Sequence, residues 1–231
     1  MFRVIDKKVN EKRIMNKLSV ILMAFSMLLS ACSNEGDEYI QLSTQENKQY
    51  CEAVAGAYEA KGYSALVVWK DFNNVEDIVK QAKIDDVRID IFDDNGRDIV
   101  FWDVPVNSLA DILPENSDER RILERFNPIS FTTYYGLERN VQSMNGEKMV
   151  NFTFKPVPYY ASYTYGGQPH QITLQISPCG IYLPYSSDMN VVRKEFLKSE
   201  LRFDITSMKI DDKEYKNFDM MVILRIAEES E

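Results

Sequence analysis

A chain of 231 residues with 36 Asp+Glu against 27 Lys+Arg carries a formal charge of −9. Such a surface repels phosphate backbones and anionic membrane faces, which sets nucleic-acid binding aside. With one histidine and three cysteines, a histidine-rich zinc site is excluded, and any imidazole-dependent nucleophile would have to use that one ring, His170. Apolar residues make up 45% of the chain, near the average for globular domains, and the length suffices for one good core or two small ones.

The first 13 residues are polar and basic, and a second methionine, Met15, precedes Asn16, Lys17 and an apolar run from Leu18 to Leu29. A positive start, an apolar stretch of roughly 7–15 residues and a small-residue cleavage site define a secretory signal. Residues 15–31 meet all three conditions, so Met15 is the expected true start and residues 1–31 are read as a signal peptide. The run is too short for a membrane span, which needs about 20 residues. Leu29-Ser30-Ala31-Cys32 resembles the bacterial lipobox, in which the cysteine thiol receives a diacylglycerol and the new amine is acylated. Cys32 is therefore the expected lipidation site, and more than one acyl chain is needed for stable anchoring. Ser33-Asn34-Glu35-Gly36-Asp37-Glu38 is similar to the acidic export tag of Bacteroidetes-type lipoproteins, and it also reads as a solvated tether. The expected location is the outer membrane of the cell envelope, on its periplasmic or its surface-exposed side. Residues 1–31 hold six basic and two acidic residues. That leaves 21 basic and 34 acidic residues from Cys32 on, a formal charge of −13.

Residues 32–42 read as a tether, and 43–231 as a single β-rich domain. Ser43 and Glu46 fit a capping box, followed by a short helix to about Ala55. An extended run opens at Gly56 and carries "YSALVVWK", rich in aromatic and β-branched residues. Val75, Ile78 and Val79 sit at helical spacing and predict a short helix between strands. In "VRIDIFDDNGRDIVFW", apolar alternation on either side of Asn95-Gly96 predicts a hairpin. The same letters partly match a calcium loop, but Ile91 stands where an oxygen ligand belongs. Leu109, Ile112 and Leu113 predict a helical turn, and Ser117 caps a second around Ile122, Leu123 and Phe126. Strands follow at 129–135, 149–155, 159–165 and 170–176, with Gly166-Gly167 as a turn. Asp188 is a cap for a helix bearing Met189, Val192 and Phe196. The last two strands, 200–210 and 218–226, flank the turn "DDKEYKN". Nine or ten short strands with two to four short helices argue a mainly antiparallel β fold, a sandwich or a barrel.

"VAGAYEAKGYS", "FWDVPVNSLADIL", "YTYGGQPHQITLQI" and "GIYLPYSSDM" resemble blocks of a Bacteroides-type lipoprotein family of unknown function, the domain numbered forty-eight forty. The resemblance spans residues 51–226. It implies a calycin-like barrel and carries no catalytic residue, so the fold analogy says nothing of chemistry.

Cys51 and Cys179 lie in a chain bound for an oxidising compartment. A disulfide between them and a small buried thiol at Cys51 are both open readings. No phosphate-cradling glycine loop is present, and neither a cofactor nor a metal is expected. The candidate ligand surface is "PVPYYASYTYGG". On a strand, Tyr159, Tyr163 and Tyr165 share one face and Tyr160 takes the other, with Trp102 contributing from elsewhere. Exposed tyrosines suit sugars and protein partners, while the same rings also serve to fill a core. The expected function is a non-enzymatic envelope module that binds a glycan, a small ligand or a protein partner. A carboxylate-dependent hydrolase and a structural or assembly subunit are the alternatives.

Overall fold

The computed structural model describes residues 40–71, 74–94 and 97–227, and side chains outside residues 70–79. The signal peptide, Cys32 and the acidic tag lie outside the described residues, as do Asn95 and Gly96. Gln41–Glu231 forms one compact unit. Within it Leu42 is buried and its N–H donates to Arg139 O at 2.8 Å. Gln41 bridges to Asn140 beside it.

In chain order the elements are α1 (Thr44–Val54), β1 (Gly56–Asp71), β2 (Asn74–Ile91), β3 (Asp98–Val104), a 3-10 helix (Asn107–Ile112), α2 (Asp118–Glu124), β4 (Ile129–Leu137) and β5 (Gln142–Met144). They continue with β6 (Glu147–Phe154), β7 (Val157–Tyr165), β8 (Gln168–Pro178), β9 (Ile181–Pro184), α3 (Met189–Leu197), β10 (Glu200–Ile210), β11 (Lys213–Tyr215) and β12 (Phe218–Ile226). The strands form one antiparallel sheet in the order β5-β6-β4-β3-β2-β1-β12-β10-β8-β7, with β11 on β10 and β9 on β6. The sheet curls into a half-barrel. Inward apolar residues from distant strands therefore meet: Phe101 of β3 stacks on Phe131 of β4 at 5.0 Å, and Phe203 of β10 stands edge-on to both. Alternation along the strands follows from this, with buried residues at every second position of β4 and, either side of a register shift at residues 206–207, of β10.

Helices cover both ends. Ser43 and Glu46 form the expected capping box, Glu46 N–H donating to Ser43 Oγ at 3.2 Å and Ser43 N–H to Glu46 Oε2 at 2.8 Å. Tyr50, Cys51 and Val54 then lie buried along one side of α1. At the same end Asp188 caps α3, whose Phe196 packs on Tyr58 at 5.6 Å. Arg193 of α3 donates to Ala53 O at 3.2 Å, a cation at the C-terminal end of α1 where the helix dipole favours one. At the opposite end the 3-10 helix and α2 are held by Arg120, which reaches Asp111 Oδ1 at 3.0 Å and Leu113 O at 3.2 Å. Glu119 and Lys213 tie α2 to the β10–β11 turn.

The expected short helix at Val75, Ile78 and Val79 is strand instead: β2 runs unbroken through it. Register shifts on β2 explain the misleading spacing. Pairs run Leu66↔Lys80, Val67↔Ile78 and Val68↔Glu76, so β2 carries an extra residue at each step. Each bulge shifts the two-residue alternation by one, and two together mimic a helical period. The strand count is also higher than expected, because β5, β9 and β11 are only three or four residues long. Gly62 sits where β1 and β12 approach closely; a Cβ there would stand 1.8 Å from Ile223 O.

Candidate functional site

The tyrosine strand divides as its period requires, though not to the benefit of the expected surface. Tyr159, Tyr163 and Tyr165 of β7 turn inward and pack against the core, half-buried. Tyr163 meets Phe126 at 5.9 Å. Tyr160 faces out and is 71% exposed. With Ala161, Ser162, Gln171, Ile172 and Thr173 it lines a shallow depression of about 320 Å³. Trp102 is on β3, on the outer face of the sheet, so the structure brings the three inward tyrosines together and leaves Trp102 apart from them.

Around Trp102 a different constellation forms. In the β2–β3 pairing Arg88 stands opposite Trp102 and Asp90 opposite Val100. Asp90 is buried to 5% exposure and accepts three donors. Arg88 Nε reaches its Oδ1 at 2.9 Å, while Arg88 Nη2 and the Trp102 indole Nε1–H both reach Oδ2 at 2.8 Å. The Asp90 carboxylate also holds the Arg88 guanidinium more firmly protonated than usual. The indole ring, 40% exposed, is thus fixed by its polar edge with part of its surface in solvent. Two of the three guanidinium nitrogens are engaged, and among the described residues Nη1 has no partner.

Bulges bracket this pair. Trp102 and Asp103 lie between the pairs Phe101↔Phe131 and Val104↔Ile129, with Asp103 at φ +58° and its N–H bonded to Ser130 Oγ at 3.1 Å. On β2, Asp85 and Asp86 lie between Ala60↔Val87 and Gly62↔Ile84, with Asp86 at φ +60°. Left-handed non-glycine residues at bulges re-aim neighbouring side chains and recur beside binding sites. Tyr134 of β4, 46% exposed and paired with Asp98, extends the outer face along the sheet. It lies four residues from Ser130, the residue beside Trp102, about 13 Å at strand rise.

Residues with catalytic potential do not converge in the same way. His170 Nδ1 lies 2.8 Å from Asp211 Oδ2, and Gln171 N–H donates to Asp211 Oδ1 at 2.8 Å. The His170 hydrogen bond, and then that of Gln171, hold the Asp211 carboxyl below its usual range. Among the described residues no hydroxyl or thiol nucleophile bonds this ring. Asp219 of β12 is, among the described residues, the carboxyl pushed well up, to about 6, by burial and by the neighbouring Asp204, with Arg202 acting against both. Arg202 grips Asp204 at 3.1 and 3.0 Å, so the pair forms an ion cluster on the sheet face rather than two free carboxyls. Cys179 Sγ lies 3.8 Å from Asp204 Oδ2, while Cys51 is buried in α1; both are free thiols, and no disulfide joins them. Among the described residues no group of three or more His, Cys, Asp or Glu side chains could hold a metal ion.

Arg88 and Tyr134 are functional candidates that sequence reasoning missed, and Asp90 gains a role, holding Arg88 and Trp102, that its place in a strand did not suggest. The signal lay in the hairpin register. A two-residue turn at Asn95-Gly96 would set Asp90 opposite Phe101, yet the buried faces of 87, 89, 91 and of 99, 101 match only when Asp90 meets Val100. No family model, no curated protein and no solved structure matches this chain.

Proposed function

We propose that the protein is an outer-membrane lipoprotein of the bacterial envelope, anchored through Cys32, and that it binds a neutral glycan on the outer face of β2, β3 and β4. The lipobox and signal pattern of residues 15–32, and the resemblance to the Bacteroides-type lipoprotein family, support the anchor and the compartment. The observation that carries the binding reading is Trp102, an exposed indole locked in place by a buried carboxylate that it shares with Arg88.

A sugar ring presents an apolar C–H face and a rim of hydroxyls. The fixed indole offers flat apolar area for the first, and Arg88 Nη1 donates to the second. Because the ring and the guanidinium are already ordered, little side-chain entropy is lost on binding. Asp90 neutralises Arg88, and Asp86 and Asp103 flank the pair, so the local charge disfavours anionic sugars. Tyr134 lets a chain of linked rings touch a second aromatic.

The test is titration of neutral and uronic-acid oligosaccharides into the chain from residue 32 onward with Cys32→Ser, after a glycan array has chosen the probes. Binding of neutral sugars that Trp102→Ala weakens tenfold or more supports the reading. A blank array, or binding indifferent to both Trp102→Ala and Arg88→Ala, overturns it.

A further inference from the structure

We propose that the open edge of β7 pairs antiparallel with the same edge of a second copy of this chain, centred on Ser162. The argument stands on β7 alone and is independent of the sugar-binding reading.

β7 is the last strand of the sheet and pairs only with β8 among the described residues. Which of its backbone groups point outward follows from its partner's bonds. Gln171 uses its carbonyl for Asp211 N–H at 2.8 Å and its N–H for Asp211 Oδ1 at 2.8 Å, so its backbone polar groups are turned away from β7. Gln171 stands opposite Ser162. In an antiparallel ladder such non-bonded pairs alternate with bonded ones, which puts Pro158, Tyr160, Ser162 and Thr164 in the same class. The prolines agree: Pro158↔Gln175 and Thr164↔Pro169 are both in that class, where a missing N–H costs no ladder bond. The free edge therefore presents the N–H and C=O groups of Tyr160, Ser162 and Thr164, bounded by Pro158.

That set is self-complementary. Two β7 edges related by a twofold axis at Ser162 place Tyr160 opposite Thr164 of the second copy, Ser162 opposite Ser162, and Thr164 opposite Tyr160. Each pair exchanges two backbone hydrogen bonds, and the interface is isologous. The side chains at these positions all face outward and are exposed. Edges of this length are normally blunted with lysine or other charge. Here residues 156–187 contain no Asp, Glu, Lys or Arg, in a chain where such residues make up 27%. Two strongly acidic copies thus meet at a stretch free of like charge, which is the argument for a second copy as occupant.

The experiment is sedimentation equilibrium on the chain from residue 32 onward with Cys32→Ser, up to millimolar concentration. It is read together with amide exchange at Tyr160, Ser162 and Thr164. The expected result is a monomer–dimer equilibrium, with exchange at these three amides slowing as concentration rises. Ser162→Lys and Ser162→Glu should each weaken dimerisation at least tenfold, and an equimolar mixture of the two should restore it. A misfolded variant would show no such rescue. Gln175→Lys, on the same face but away from the edge, should leave the equilibrium unchanged. A monomer at every concentration, or a dimer that ignores both Ser162 variants, overturns the proposal. Glycan binding is read separately on the same samples, so failure of one reading leaves the other intact.

Discussion

The two flanks of the sheet solve the problem of facing water in opposite ways. On the β2–β3–β4 flank, charge is dense and organised around one buried carboxylate: Asp90 binds Arg88 and Trp102, and bulges at Asp86 and Asp103 turn the chain around them. On the β7–β8 flank no charged side chain appears, and the polar groups left over belong to the backbone edge. The first flank offers ordered side chains and the second an unfinished ladder. On the proposals made above, recognition through the first would depend on which rings and hydroxyls a ligand carries, and recognition through the second on an extended chain being available.

The strongest way to break the contrast is to remove what both flanks lean on. Phe203 is fully buried between Phe101 and Phe131, so Phe203→Ala should cost about 3–5 kcal/mol in denaturant unfolding. A loss below 1 kcal/mol would mean the curled sheet does not close over this ring. Asp90→Ala sharpens the contrast on one flank. It strands Arg88 and frees the indole, and should cost about 1–3 kcal/mol. In a Trp69→Phe background the emission of Trp102 should shift to the red; unchanged emission would show that the indole does not depend on Asp90.

Between the flanks, Asp219 predicts a pH effect. Its folded pKa, about 6, lies above the ordinary 3.8, so the folded state holds this proton more tightly than the unfolded one. Stability contributed by that proton is complete at low pH and is lost as pH rises from about 4 through about 6. For a carboxyl that is only partly buried, the loss is about 1–2 kcal/mol. Asp219→Asn should therefore stabilise the protein by about that much at pH 8 and by nothing at pH 4, read from urea midpoints. An equal effect at both pH values would refute the assignment. The smallest effect is expected at Tyr160, whose ring is 71% exposed. Tyr160→Ala should change stability by less than about 0.5 kcal/mol, whereas Tyr163→Ala, which loses the contact with Phe126, should cost more.

What could be read in advance depended on how local the cause was. The Ser43–Glu46 box, the Ser117 and Asp188 caps and the turn "DDKEYKN" between 200–210 and 218–226 are local, and the helices and strands lie where those signals put them. β2 departs from the expected helix around Val75 because its two bulges exist only in register with β1. The face assignment of Tyr159, Tyr163 and Tyr165 followed from alternation, but which face was the inside depended on a sheet closing across strands far apart in the chain. The Arg88–Asp90–Trp102 cluster needed a register one residue away from the one its turn suggests. The uncharged run of residues 156–187 was there to be counted, yet it gains meaning only once β7 is known to be the last strand.

The position of β12 constrains how the molecule is made. Residues 218–226 lie between β1 and β10, so until they arrive the sheet consists of two half-sheets that share no strand. The β1–β12 contact spans most of the domain's length, and such pairings form slowly. A chain lacking residues 218–226 would keep β6-β4-β3-β2-β1 and β10-β8-β7 as separate ladders, with no backbone hydrogen bond joining β1 to β10.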